Sequence, residues 1–121
     1  MNYAILIYDN EAHFATRSEP DPKKRQAYMA TWATYTNALK DAGVFVGGAG
    51  LQAPPTATTL RFPDSQRQVQ DGPFADTKEQ LAGFYLIEAA HLDEALEWAA
   101  RLPRADGRVL EVRPCLAPQP A

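Results

Sequence analysis

A chain of 121 residues with a formal net charge of −3 fits one domain, long enough to bury a core without covalent staples. Its acidic balance, with no basic stripe interleaved with aromatics, argues against nucleic acid or an anionic membrane as a partner. The single cysteine, Cys115, excludes an intrachain disulfide or a thiolate metal cluster; with no signal segment or membrane span in view, it points to the cytoplasm.

The first element is "YAILIY" (Tyr3 to Tyr8), a continuous apolar run that reads as a strand buried on both faces. The charged stretch after it contains His13, which reads as a solvated surface residue. Asp21 then offers an N-cap with Pro22 at the first helical position. Tyr28, Trp32, Tyr35, Leu39 and Ala42 recur at helical spacing until Gly43 ends the pattern. Within this helix Lys23, Lys24 and Arg25 read as a solvated face, and the aromatic stripe reads as core packing that can also border a ligand.

"VFVGG" predicts a second strand, and the following "GGAG" lets a strand end pass close to its neighbour; it lacks the lysine and spacing of a phosphate loop. Residues 56 to 70 predict a mostly polar hairpin, "TATTLRF" and "RQVQ" around the turn residues "PDSQ". Asp71-Gly72 is a turn pair, Pro73 restricts Gly72 toward extended geometry, and Phe74 offers an anchor into the core. Thr77 and Gln80 make a capping-box pattern for one helical turn.

"GFYLIEA" (Gly83 to Ala89) is the next strand. His91 stands at an N-cap with Glu94 at the third helical position, and a second helix runs to the stop at Pro103. "RVLEVRP" is the last strand, and the tail "CLAPQPA" should lie extended.

The order βαβ, hairpin, βαβ defines a single α+β domain over residues 1–121: a ferredoxin-like split βαβ unit with an inserted β-hairpin and both helices on one side of an antiparallel sheet. Strands with apolar residues on both faces then leave one sheet face uncovered. A second copy stacked sheet to sheet would cover it, so the expectation is a homodimer built as a dimeric α/β-barrel.

For chemistry, Asp71 has two readings. It is either a carboxylate accepting bonds from the turn, or an acid/base group at a strand end walled by Trp32, Tyr35 and Phe74, where desolvation would raise its pKa. In the second reading Thr77 and Lys78 orient a polar group of the substrate. Neither His13 nor His91 pairs with an acid at metal-ligand spacing, so no metal is expected.

"DGPFADTKEQLAGFYLIE", together with "YAILIY", "AGVFVGGAGLQAP", "TATTLRF", "LDEALEWAARLP" and "EVRP", closely resembles the DGPF group of the YCII-related (YciI-like) family over nearly the whole chain. The resemblance implies a dimeric α/β-barrel of the superfamily that includes muconolactone-isomerase-like enzymes, a dehydrochlorinase and metal-free monooxygenases. Some family members are proposed to use a His and Asp pair between the first helix and the sheet. Here that helix has no histidine and carries Thr31 near the matching place.

The expected function is therefore small-molecule binding without a cofactor, extending to proton-transfer chemistry of the isomerase or lyase kind on an aromatic or lactone-like compound, with Asp71 as acid/base. The alternatives are a non-catalytic sensing or accessory protein, which the family's association with extracytoplasmic-function sigma factors suggests, and a structural dimer without a pocket.

Overall fold

The computed structural model describes residues 1–117; residues 118–121 of the tail expected to lie extended fall outside the described residues. Strand β1 (Asn2–Asp9) alternates half-buried and buried positions along its length, with Tyr3, Ile5, Ile7 and Asp9 on the covered side. It lies inside a four-stranded sheet of order β2-β5-β1-β6, formed with β2 (Phe45–Gly50), β5 (Gln80–Glu88) and β6 (Val109–Pro114). Each neighbouring pair is antiparallel, the arrangement expected of a split βαβ unit.

Helix α2 (Pro22–Asp41) starts as its local chemistry dictates: the Asp21 side chain accepts the Lys23 N–H at 3.0 Å, and Pro22 occupies the first turn. It ends at Ala42, followed by Gly43 at φ 74°, a left-handed position that glycine adopts without steric cost. Helix α3 (Leu92–Ala100) is capped by His91, whose Nδ1 accepts the Glu94 N–H at 3.2 Å. Tyr35 and Leu39 of α2 and Ala95 and Ala99 of α3 pack with Tyr3, Ile5, Ile7 and Ile87 into one core. Leu39, Ile5 and Ile87 are fully buried, and each such side chain contributes roughly 1.5–3 kcal/mol.

Three local features differ from expectation. The charged stretch after β1 is not a loop: it forms a short helix, α1 (Glu11–Ala15), because Asn10 caps it through the His13 N–H and Phe14 is buried in the core. The turn expected at Thr77–Gln80 is not helical. Gln80 pairs with Asp9, so β5 begins three residues before Gly83, and residues 77–79 bend into it without forming a helical turn. Gly72 is not extended but has φ 99°, and its N–H donates to the Ala57 carbonyl at 2.8 Å.

The hairpin, β3 (Thr58–Arg61) and β4 (Gln68–Asp71), forms a separate two-stranded sheet. Leu60, Phe62 and Val69 are exposed on it. Among the described residues no helix is long and apolar enough to cross a membrane.

Candidate functional site

Tyr28, Trp32 and Thr36 recur every four residues on α2, which places them on one helix face. That face does not close fully on the sheet. Between it, the end of β2 and the start of β5 lies a cavity of about 680 Å³. Met29 stands exposed on its border, and Tyr28 meets Trp32 edge to face at 6.4 Å between ring centroids.

Glycine makes this floor. A Cβ at Gly48 would sit 2.6 Å from the Phe84 carbonyl oxygen and one at Gly83 2.8 Å from the Ala49 oxygen, so β2 and β5 approach closely only because both positions lack side chains. A Cβ at Gly50, by contrast, meets nothing within 4 Å, which marks open space beside the strand. The wall is otherwise largely apolar, with Ile7, Phe14, Phe45 and Leu51 contributing.

The cationic group in this wall is Arg17, set in the single 3-10 turn (Thr16–Ser18) that follows α1. It belongs to a buried cluster around Asp9, a carboxylate with no exposure at the end of β1. Arg108 donates from Nε to Asp9 Oδ1 at 2.7 Å and from Nη2 to Oδ2 at 3.4 Å, while its Nη1 donates to the Pro103 carbonyl at 2.7 Å. Arg17 stands further off, with Nη2 3.7 Å from Asp9 Oδ2 and donating to the Ala82 carbonyl at 3.0 Å.

The His13 ring completes the cluster. Its Nδ1 lies 3.2 Å from Asp9 Oδ1 and also 3.2 Å from the Asn10 N–H, and its Nε2 is 2.6 Å from the Asp106 carbonyl. An Nε2–H tautomer donates to Asp106 and accepts from Asn10, which satisfies both ring nitrogens without a net charge. His13 is thus not the solvated residue its neighbours suggested: only 11% of its side chain is exposed. The Arg108 guanidinium lies 5.0 Å from the Trp32 ring centroid, so the cluster also backs one wall of the cavity.

Two phenols beside α2 have their acidity shifted by burial. Tyr85 borders the cavity and shares a 2.7 Å hydrogen bond with Thr36; burial raises its pKa, and the Thr36 bond opposes that rise in part. Tyr35 donates to the Trp98 carbonyl at 2.7 Å and packs edge to face on Tyr85 at 5.3 Å. Its pKa is pushed well above the ordinary phenol value, chiefly by burial and then by Tyr85, with Arg101 acting the other way.

Of the residues singled out in the sequence, Trp32 borders the cavity, and Tyr35 is buried beside it in the core. Asp71, Thr77 and Lys78 are exposed and lie outside the residues that border the cavity. Phe74 does not anchor in the core: it is 75% exposed and lies against Arg61, whose guanidinium is 5.1 Å from its ring centroid. The hairpin builds its own sheet and carries this loop outward, so Trp32, Tyr35 and Phe74 do not wall Asp71 in the chain. Thr31 faces solvent and bonds its hydroxyl back to the Ala27 carbonyl.

The sequence profile of the YCII-related domain matches residues 1–117. A protein of Rhizobium meliloti (strain 1021), described as uncharacterized, is 42% identical over 118 residues, a match that covers 94% of this chain and 91% of that protein.

Proposed function

Since the chain belongs to the YCII-related family, we propose that it binds a small, largely apolar molecule in the cavity between α2 and the sheet. The Asp71-Gly72-Pro73-Phe74 run further supports placing it in the DGPF group of that family. The observation that carries the binding reading is the cavity itself: about 680 Å³, within the size range of small-molecule sites, lined by aromatic and aliphatic groups with a few polar ones. Binding rather than turnover is the function proposed, because the bordering groups are a guanidinium, hydroxyls and an amide, and the carboxylate of Asp71 stands elsewhere.

The subunit is proposed to work as a homodimer, stacked sheet to sheet as a dimeric α/β-barrel. Support comes from the face of the sheet opposite the helices, where the register brings Leu6 beside Phe84 and Ala4 beside Leu86.

A cavity-filling variant tests the binding reading. Gly50 borders the cavity with room for a side chain, so Gly50→Phe should occupy the space without straining the strand. In NMR titrations with naphthalene-2-carboxamide, a neutral aromatic probe, the wild-type Trp32 side-chain signal should shift in a saturable way and that of Gly50→Phe should not. Equal shifts in both proteins would place the ligand somewhere else.

A further inference from the structure

We propose that Arg17 makes this cavity selective for a carboxylate: the ligand is an apolar or aromatic monoacid whose carboxylate oxygens accept from the Arg17 guanidinium. The inference rests on the reading of the cavity as a ligand site and adds the chemical class of what enters it.

A charge count comes first. Asp9 contributes one negative charge and Arg17 and Arg108 one positive charge each, while the bonding of His13 suits a neutral ring. One cation is left over. Arg108 holds Asp9 through two nitrogens at 2.7 and 3.4 Å and spends its third on Pro103, so the surplus charge resides on Arg17, the more distant partner at 3.7 Å.

The hydrogen-bond count agrees. Arg17 Nη1 is buried and has no hydrogen-bond partner among the described residues. A buried donor left unpaired is costly, and more so on a charged group. The Phe14 ring, 5.0 Å from the guanidinium carbon, sits over the group, and Nη2 is committed to Ala82. The guanidinium that carries this donor borders the cavity.

The rest of the wall sets the ligand's body. One surplus cation among Tyr28, Trp32, Phe45 and Leu51 matches a single negative charge on an apolar frame. A phosphate dianion calls for a second cation, and among the described residues that line this wall Arg17 is the one cationic side chain, whereas a carboxylate pairs well with one guanidinium.

Two probes of equal shape separate the possibilities. By calorimetry, naphthalene-2-carboxylate should bind the wild-type protein about tenfold more tightly than naphthalene-2-carboxamide, the worth of one charge-assisted bond to an otherwise unpaired donor. Arg17→Gln should abolish that preference, so that the two probes bind it alike, and Arg17→Lys should keep part of it. Equal binding of the two probes to wild-type protein, or a preference that survives in Arg17→Gln, would overturn the inference and leave the binding reading intact. Failure of both probes to bind in a way that Gly50→Phe blocks would remove the binding reading and the inference together. The wild-type comparison needs no variant, so a folding defect in Arg17→Gln would not obscure it.

Discussion

Asp9 shows how much one side chain can control. A fully buried carboxylate survives only because two guanidinium groups face it, Arg108 closely and Arg17 at a longer distance. The two arginines differ in their hold on it, and their removal should differ in cost. Arg108→Ala strips the paired nitrogens from a buried charge and should cost about 3–5 kcal/mol in urea melts. Arg17→Ala removes the outer partner and should cost about 1 kcal/mol or less. Equal losses would mean that Arg17 is spent on Asp9 and has no charge to spare. The Asp9–Arg108 pair was not legible beforehand, because the two stand 99 residues apart and an ion pair across a sheet leaves no spacing signal. Tyr35 offers a second residue-scale test, through pH. Burial holds its phenol protonated above the ordinary pKa of about 10, so from pH 10 upward the unfolded chain loses its proton first and stability falls as pH rises. Tyr35→Phe leaves the Trp98 carbonyl without its donor, a loss of about 1 kcal/mol at pH 9. Because the variant lacks the titrating group, that deficit should shrink at pH 11; a constant gap would show that Tyr35 does not titrate with unfolding.

At the scale of elements, the readable parts were those with local chemistry. Asp21 followed by Pro22, Gly43 in a left-handed turn and His91 with Glu94 each mark a helix end by bonds within a few residues. Helix α1 escaped because five residues carry no period of their own; what holds it is the Asn10 cap and the burial of Phe14. The loop after Asp71 misled in the other direction. Phe74 is apolar and follows a turn, but its hairpin pairs with itself rather than with the main sheet, so the ring stays outside. "GGAG" was readable as a close approach, and one comparison within it measures that approach. Gly48→Ala pushes a methyl to 2.6 Å from the Phe84 backbone and 3.1 Å from the Tyr85 ring, which should cost about 1–3 kcal/mol and disturb the cavity floor. Gly47→Ala meets nothing within 4 Å and should be neutral or slightly stabilising. If the two alanines melt alike, strand spacing does not depend on Gly48.

The whole molecule leaves a question that the single chain does not answer: what covers the second face of the sheet. Helices α2 and α3 pack on the side of Ile5 and Ile87. The opposite side presents Leu6, Phe84 and Leu86 half-buried and Leu81 and Val109 exposed, with Glu111 and Arg113 at its β6 border. A centre of this kind inside a charged rim is the usual anatomy of a subunit interface, which needs about 800 Å² from each partner. If two copies stack here, folding and association are linked, and the melting temperature of the wild-type protein should rise with concentration while it sediments with twice the mass of the 13.3 kDa chain. Leu6 lies between Phe84 and Glu111, near the middle of the proposed contact. Leu6→Arg would place an unpaired charge inside a dimer but only at the surface of a monomer. It should therefore release folded single chains, with a melting temperature that no longer depends on concentration. A wild-type protein that sediments as one chain at every concentration would refute the stacked dimer. The cavity would be unaffected by that result, since it is bordered by groups of one subunit between α2 and the sheet.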